Sequence, residues 1–329
     1  MVQNMFYEEI GKVHEKLGLL MKEGDRLSGK WTREFASNKN IEIRDILNGN
    51  LTPEMELELG RYLSDKAGIR RSQNIPEDVI IEGFNIDNIP AEWISVPGAS
   101  EDKVYLNLFG GGYVFGNLES RRWGLYLTSR SSNIRCLSIE YRLAPEHPFP
   151  AALEDSVKTY KWLLSKNYDP SNIIIGGQSA GGGLTIATLL KLKELNLPYP
   201  KGAILLSPWA DLTGEAESLE YNKKYEPTIS EGVVTMAKLY AQNESLRNPL
   251  ISPVFADLEG FPPILIQAGG IEALLDDSLK LAENAKSAGV EVNLEVYDNM
   301  THVFQVFGDE LPESKKAIES VANFITNLY

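Results

Sequence analysis

A serine stands at the centre of a glycine-rich stretch near the middle of this 329-residue chain. Residues 173–184 read IIIGGQSAGGGL, so Ser179 lies two residues after one glycine and two before another. An apolar run precedes this Gly-x-Ser-x-Gly motif, and an apolar pattern with helical spacing follows it. A sharp turn from a strand into a helix exposes a serine hydroxyl at the end of a sheet, and nearby glycines relieve its crowding. The pattern therefore predicts that Ser179 is a nucleophile.

The same glycines could instead form a phosphate-binding loop, or a plain turn that packs a helix onto a strand. A phosphate-binding loop would continue as Gly-Lys-Ser or Gly-Lys-Thr, and this stretch does not. In a plain packing turn, the three consecutive glycines at 181–183 would destabilise the helix by about 2–3 kcal/mol relative to alanine. A cost of that size favours a functional reason for them.

A second run of glycines offers hydrogen-bond donors for such a nucleophile. The apolar stretch 103–109 is followed by three glycines, Gly110 to Gly112. Because these residues have no side chains, their backbone N–H groups are open to close approach by a developing oxyanion. We therefore expect this loop to serve as an oxyanion hole, with a plain flexible loop as the alternative.

A serine nucleophile needs a general base, and the chain offers His14, His147 and His302. His14 falls in a charged, helix-like region and is expected to be solvated. His147 lies in the proline-rich loop APEHPFP and is expected to be structural. His302 follows the apolar stretch 291–297 and a polar turn, at the carboxyl end of a predicted strand, where active sites of open α/β sheets lie. His302 is the predicted base.

The acid that orients the histidine should follow the preceding strand, predicted at 263–267. Glu272 comes first after this strand, whereas Asp276 is expected to cap or begin the next helix. We favour Glu272 and keep Asp276 as the alternative. The resulting chain order of serine, acid and histidine is that of the α/β-hydrolases.

Short apolar stretches alternate with helix-like segments from about residue 79 onward, which predicts a mostly parallel sheet with helices on both faces. The predicted strands are 79–84, 91–96, 103–109, 134–139, 172–176, 202–206, 263–267 and 291–297. The predicted helices include 151–165, 180–194, 275–288 and 314–328. Residues 1–75 are rich in charged side chains, and the apolar positions near the N-terminus recur with helical spacing. A helix is expected to begin at Thr52-Pro53. We expect 1–75 and about 210–250 to form a helical cap on a catalytic domain spanning 76–329.

The composition excludes several classes of function. The net charge is −14 and no stripe of lysine and arginine offsets it, which argues against binding to nucleic acid. Cys136 is the only cysteine, so no intramolecular disulfide can form, as suits a reducing cytosol. The sequence shows neither a signal peptide nor an apolar run of the roughly 20 residues that span a membrane, so a cytoplasmic location is expected.

From about residue 79 to residue 329, the chain resembles the hormone-sensitive-lipase-like branch of the α/β-hydrolases, which includes small bacterial carboxylesterases. The likeness extends over several blocks in one order, which is a specific signal. The blocks are FGGGYVFGN (109–117), EYRLAPEHPFPAALED (140–155), DPSNIIIGGQSAGGGL (169–184), SPWADLT (207–213), NPLISPVFADLEGFPPILIQAGG (248–270), IEALLDD (271–277) and NMTHVFQ (299–305).

The resemblance implies an α/β-hydrolase fold with an eight-stranded sheet and a helical cap. It also implies hydrolysis of small, short-chain acyl esters without a cofactor or a metal ion, and a possible homodimer through the last strand, residues 291–297. The implied roles are Ser179 as nucleophile, Glu272 as acid, His302 as base, and the N–H groups of Gly111, Gly112 and Ala180 as oxyanion donors. Three aromatic residues could line the substrate pocket or belong to the core: Tyr113, Phe115 and Trp209.

Two residues depart from the family pattern. Phe109 stands where the family usually has a histidine that steadies the oxyanion loop by hydrogen bonding, and Gln178 stands where it usually has an aspartate. The first change raises the alternative of a ligand-binding protein that has lost catalysis on the same scaffold. Hydrolysis of lactones or amides by the same three residues is a further alternative.

Overall fold

A computed structural model describes residue 26 and residues 28–329 of the chain. The apolar N-terminal positions and His14 lie outside the described residues. Three helices begin the described part: α1 (28–39), α2 (Ile43–Leu47) and α3 (Pro53–Ser72). At the start of α3, the Thr52 hydroxyl oxygen accepts a hydrogen bond from the Met55 N–H at 3.4 Å, and Pro53 takes the first helical position. The predicted helix start is confirmed.

Eight strands form a single sheet. They are β1 (Ile80–Ile86), β2 (Ile89–Ser95), β3 (Ser100–Leu108), β4 (Ile134–Ile139), β5 (Ile173–Gln178), β6 (Gly202–Leu206), β7 (Ile264–Gly269) and β8 (Val292–Tyr297). Their order across the sheet is β1-β2-β4-β3-β5-β6-β7-β8. Only the pairings of β2 are antiparallel, and the other five pairings are parallel. Each predicted strand is present, and the predicted fold class is confirmed.

The remaining helices fill the connections between strands. They are α4 (Leu118–Ser132), α5 (Ala151–Ser165), α6 (Ala180–Glu194), α7 (Ser218–Tyr221), α8 (Pro227–Ala241), α9 (Leu275–Ser287) and α10 (Pro312–Leu328). The limits of α5 and α6 match the predicted ranges. Helix α4 is not among the predicted helices, because its serines and charges weaken its apolar periodicity. Its ends have local causes, because the Asn117 side chain caps its first turn and Asn133 ends it at a φ of 55°.

Two apolar layers cover the two faces of the sheet. One layer includes side chains of α5, α6 and α9, and the other includes side chains of α4 and α10. The central strand β5 contributes to both, since Ile173 and Ile175 pack in the first layer and Ile174 packs in the second. This burial on both faces explains the unbroken apolar run before Ser179. The segment 210–250 carries the two helices α7 and α8, as its break in the alternation suggested.

The position of β8 and the character of the helices concern two further expectations, a homodimer through the last strand and the absence of a membrane span. Within the described residues, β8 pairs only with β7 and stands at one edge of the sheet. A homodimer through this strand stays a prediction. None of the helices in the described part of the chain combines the length and the apolar character needed to cross a bilayer.

Arg61 joins α3 to the loops that follow β3 and β4. Its guanidinium makes two hydrogen bonds of 2.7 Å to the Glu146 carboxylate. It also donates to the carbonyl oxygens of Val114 at 2.8 Å and Ala144 at 2.9 Å. The hydrogen bonds from Arg61 hold the pKa of Glu146 down at about 2. This ion pair is therefore present at neutral pH and is lost only as the pH falls toward that value.

We predict that Arg61→Ala lowers the free energy of unfolding by about 1–2 kcal/mol. Hydrogen bonds between charged groups contribute about 1.5–3 kcal/mol each when buried, and we reduce that contribution because Glu146 is exposed to solvent. Urea denaturation at neutral pH measures the change. Arg44→Ala, at an exposed position on α2, is the matched control and should leave the transition in place. An unchanged transition midpoint in Arg61→Ala would contradict this role.

Candidate active site

Ser179 occupies a strained turn between β5 and α6. Its backbone has φ 54° and ψ −126°, a region that residues with a side chain rarely adopt. The turn is held by a 2.9 Å hydrogen bond from the Ser179 N–H to the Leu206 carbonyl oxygen. The Ser179 carbonyl oxygen accepts from the N–H groups of Gly182 at 2.8 Å and Trp209 at 2.9 Å. This conformation is the one expected of a nucleophilic serine at a strand-to-helix turn.

The glycines of the motif are required by close packing around the serine. A Cβ atom at Gly177 or at Gly181 would collide with the carbonyl oxygen of Leu108, the last residue of β3. The end of β3, the end of β5 and the first turn of α6 therefore meet with no room for side chains. The glycines therefore do have the packing role of the alternative interpretation, since they let the helix lie close against the sheet. They also bring the loop after β3 next to Ser179.

The loop after β3 carries the candidate oxyanion donors. A Cβ atom at Gly110 would lie 3.0 Å from the Cβ of Ser179, so the loop runs directly beside the serine. Gly111 has φ 138° and Gly112 has φ 61°, both left-handed values that favour glycine. Among the described residues, no protein acceptor receives a hydrogen bond from the N–H groups of Gly111, Gly112 or Ala180. These donors are free for a ligand, and that of Ala180 begins a helix.

Phe109 supports the oxyanion loop without a histidine. Its ring is fully buried and stacks on the Tyr141 ring, with centroids 4.4 Å apart and planes inclined by 22°. The Tyr141 hydroxyl donates a 2.6 Å hydrogen bond to the Phe109 carbonyl oxygen. The oxyanion loop is thus held by a hydrogen bond from Tyr141 to the backbone of Phe109, and not by the side chain of residue 109. The second departure, Gln178, lines both the pocket at Ser179 and an adjoining cavity of about 50 Å³.

The side chains of His302 and Glu272 lie close together. The side chain of Glu272 is fully buried and that of His302 is 12% exposed. The distance from Nδ1 of His302 to Oε2 of Glu272 is 3.8 Å, longer than a hydrogen bond. Within the described part of the chain, Nδ1 of His302 and Oε1 of Glu272 have no hydrogen-bond partner. Such pairs are often loose in a ligand-free enzyme and shorten when substrate binds.

Ser207 holds Glu272 in this position. Its hydroxyl donates a 2.6 Å hydrogen bond to Oε2 of Glu272 and accepts one from the Val303 N–H at 3.0 Å. The Gly269 N–H adds a 3.1 Å hydrogen bond to the same carboxylate oxygen. Ser207 is not among the predicted site residues, although it directly follows β6 at the carboxyl end of a strand. That position could have identified it by the rule that selected His302.

Asp276 makes different contacts. Its carboxylate accepts hydrogen bonds from the Ser218 N–H and the Tyr221 hydroxyl, both at 2.9 Å. It thus binds α7 at the start of α9 and does not face His302. Of the two acids that the sequence left open, the structure brings Glu272 to the histidine.

Glu226 is a second buried carboxylate beside the histidine, and nothing in the sequence singled it out. Its Oε1 accepts a 2.6 Å hydrogen bond from the His302 backbone N–H. Burial lowers the pKa of His302, but the facing carboxylates of Glu272, Glu226 and Asp277 raise it, and the net pKa lies above its ordinary value. The site therefore favours the protonated imidazole, the form that results when histidine takes a proton.

Ser179 and His302 both line one pocket with a volume of about 440 Å³. Two of the three predicted pocket aromatics, Phe115 and Trp209, line it as well. Tyr113 does not, because its ring is only 1% exposed and stacks on Tyr240 with centroids 3.7 Å apart. The expectation that Tyr113 contacts substrate is corrected, since its side chain belongs to the core. Three helices also line the pocket, through Ser64, Ala67, Gly68 and Arg71 of α3, Ser120, Arg121, Trp123 and Gly124 of α4, and Thr228, Ile229, Val233 and Met236 of α8.

The other candidate groups lie elsewhere. His147 is exposed in its proline-rich loop and does not line the pocket. Cys136 is buried in β4, and its burial raises the pKa of the thiol, so it is not a nucleophile at neutral pH. Across residues 26 and 28–329, no group of three or more histidine, cysteine or acidic side chains is arranged to hold a metal ion.

Comparison with known proteins agrees with this geometry. A family model described as the alpha/beta hydrolase fold matches residues 105–306. The chain is 37% identical over 251 residues to an acetyl-hydrolase of Streptomyces hygroscopicus, which covers 76% of this chain and 82% of the relative. It belongs to the alpha/beta hydrolase family.

Solved structures place it more closely. An esterase from the bacterial hormone-sensitive lipase family superimposes with a TM-score of 0.81 and 42% identity, over 93% of this chain and 98% of that one. The protein EstE5, in a crystal soaked with p-nitrophenyl butyrate, gives a TM-score of 0.78 and 40% identity, over 83% of this chain and 91% of that one. Within the family, the chain is a member of the hormone-sensitive-lipase-like branch.

Proposed function

We propose that this carboxylesterase hydrolyses short-chain acyl esters with Ser179 as nucleophile, His302 as base and Glu272 as acid. One observation carries the proposal: a strained serine and a largely buried histidine border the same pocket, and a carboxylate oxygen of the buried Glu272 lies 3.8 Å from Nδ1 of that histidine. Ester hydrolysis itself follows from membership of a branch whose members are esterases. The cytoplasmic location and the homodimer remain predictions from the sequence.

The proposed reaction is an acyl transfer in two stages. His302 takes the proton of the Ser179 hydroxyl as its oxygen attacks the ester carbonyl carbon. The negative charge moves to the carbonyl oxygen. This oxygen then accepts hydrogen bonds from the N–H groups of Gly111, Gly112 and Ala180. The imidazolium, stabilised by Glu272, then protonates the departing alcohol. Water attacks the acyl-enzyme by the same steps, releases the acid and restores the Ser179 hydroxyl.

We propose further that the segments 28–75 and 210–250 form a cap over this site. The rest of the predicted segment 1–75, apart from residue 26, lies outside the described residues. The support is the origin of the pocket lining, since α3 and α8 both contribute side chains to it. A Cβ atom at Gly112 would collide with the sulfur atom of Met236, so α8 lies directly on the oxyanion loop. A cap placed in this way limits the size of the acyl or alcohol group that can bind.

We predict that Ser179→Ala abolishes turnover of p-nitrophenyl butyrate, because the variant lacks the hydroxyl that would form the acyl-enzyme. Loss of a nucleophile in a serine hydrolase typically costs about 10⁶-fold in kcat. Wild-type protein should also be labelled by a fluorophosphonate probe, and the variant should not. A wild-type protein that resists the probe would favour the binding-protein alternative, and undiminished activity in Ser179→Ala would exclude Ser179.

We predict that kcat/KM rises with pH as His302 loses its proton, because only the neutral imidazole can accept the proton of Ser179. Since the facing carboxylates raise the pKa of His302, the midpoint should lie above the ordinary value of 6.5. Initial rates between pH 5 and pH 9 measure this limb. Labelling by the fluorophosphonate should follow the same limb, and a flat profile would rule out a histidine base.

We predict a preference for short acyl chains, because a pocket of about 440 Å³ is near the lower end of the range of about 300–1,000 Å³ for small-molecule sites. The name of the acetyl-hydrolase relative supports the same expectation. Among p-nitrophenyl acetate, butyrate, octanoate and dodecanoate, kcat/KM should be highest for the first two. Met236→Ala should raise the relative rate of the octanoate by enlarging the pocket. A maximum at dodecanoate in the wild type would contradict the prediction.

A further inference from the structure

Glu226 connects two loops that carry proposed catalytic residues. It directly precedes α8 and is 8% exposed. Its Oε2 accepts a 2.7 Å hydrogen bond from the N–H of Ala273, the residue after Glu272. Its Oε1 accepts a 2.6 Å hydrogen bond from the N–H of His302 itself. One carboxylate therefore spans the loop after β7 and the loop after β8.

The form of this carboxylate is set by its partners. Both of its oxygens accept from N–H donors, and a protonated carboxyl would have to give up acceptor capacity on one of them. Burial raises the pKa of Glu226 above its ordinary value, whereas the nearby imidazole and the two N–H donors favour the ionised form. In that form Glu226 places negative charge near an imidazole that must become positive. The titratable groups that face His302 are Glu272 from the loop after β7, Glu226 before α8 and Asp277 from α9.

Neighbouring residues of the same segment hold the acid loop but do not reach the histidine. The Ser218 hydroxyl donates a 2.8 Å hydrogen bond to the Ala273 carbonyl oxygen, and the Asn222 amide donates a 2.9 Å hydrogen bond to the Glu272 carbonyl oxygen. Ser218, Asn222 and Glu226 follow one another at intervals of four residues. Glu226 is the member of this row that also contacts the backbone of His302.

We propose that Glu226 is a positioning residue that fixes the distance between Glu272 and His302 and links the segment 210–250 to the catalytic loops. The inference rests on the proposed function of these two residues. Ser207 bridges the same pair of loops from β6, through the Glu272 side chain and the Val303 N–H. Nδ1 of His302 and Oε2 of Glu272 are 3.8 Å apart, too far for a direct hydrogen bond. The hydrogen bonds of Glu226 and Ser207 to the two loops therefore hold the imidazole and the acid at this separation.

The test is Glu226→Gln, which keeps the shape of the side chain but replaces one acceptor oxygen with an NH₂ group that must face an N–H donor. We expect kcat to fall by about 10-fold to 100-fold, the scale of a misplaced catalytic group, with KM changed by less than about 3-fold. The limb of kcat/KM against pH should move to lower pH, because one carboxylate fewer stabilises the imidazolium. A role in folding alone would not move this limb.

Two further variants sharpen the result. Glu220→Gln makes the same substitution at an exposed position of α7 and should match the wild type in kcat and in pH profile. Glu226→Asp keeps the charge but is one methylene too short to reach both N–H groups, so kcat should fall while the pH limb stays near that of the wild type. Titration of each preparation with the fluorophosphonate counts the competent molecules, so partial unfolding is not read as a loss of kcat.

The outcomes separate the inference from the proposed function. Wild-type kcat and an unmoved pH limb in Glu226→Gln would overturn the positioning role. Should that variant fail to fold, wild-type kcat in Glu226→Asp would overturn it instead. A wild-type protein that is not labelled at Ser179 would reject the proposed function itself, whatever the Glu226 variants do.

Discussion

The conformation of Ser179 depends on four chain segments that meet without intervening side chains. The end of β3 lies against the glycines before and after the serine, and the Leu206 carbonyl oxygen and the Trp209 N–H hold its backbone from the side of β6. A φ of 54° is unfavourable for serine and persists only when the surroundings determine it. The order of the central strands, β3-β5-β6, follows from the same requirement, since these three strands must be adjacent to form the turn.

Buried charge is the second constraint on the site. A largely buried imidazole that becomes positive during a reaction needs negative charge close by, and burial alone would lower its pKa. Three carboxylates, those of Glu272, Glu226 and Asp277, reverse that direction. Each is itself buried and accepts hydrogen bonds from backbone N–H groups or a hydroxyl, but in the described part of the chain Oε1 of Glu272 and Oδ1 of Asp277 have no partner. The acids come from three different elements, which ties the segment 210–250 to the loops at the end of the sheet.

Phe109 shows how a change in a family motif can be offset elsewhere. The hydrogen bond that a histidine would make from its side chain is replaced by one from Tyr141 to the carbonyl oxygen of Phe109, and the two rings stack. Tyr141 lies just after β4, the strand next to β3 in the sheet. The oxyanion loop thus keeps a rigid base, and its N–H groups remain free for a ligand. The departure gives no support to a loss of catalysis.

Much of this protein was determined by local sequence. Apolar runs of strand length predict the eight strands, and periodicity with turn signals predicts the observed limits of α5 and α6. The glycines around Ser179 and the position of His302 after a strand identified the centre of the site, because both are properties of a short stretch of chain. The choice between Glu272 and Asp276 was not settled in this way, as the two are only four residues apart.

The tertiary structure decided what depends on contacts between distant residues. Ser207 and Glu226 are ordinary polar residues in the sequence, and only folding brings their oxygens to the backbone of 273 and 302–303 or to the Glu272 carboxylate. Tyr113 follows the oxyanion glycines, yet its ring turns into the core to stack on Tyr240 of α8. Hydrogen bonds and stacking act over a few ångströms, so their partners are set by where the chain folds and not by how far apart they lie along it.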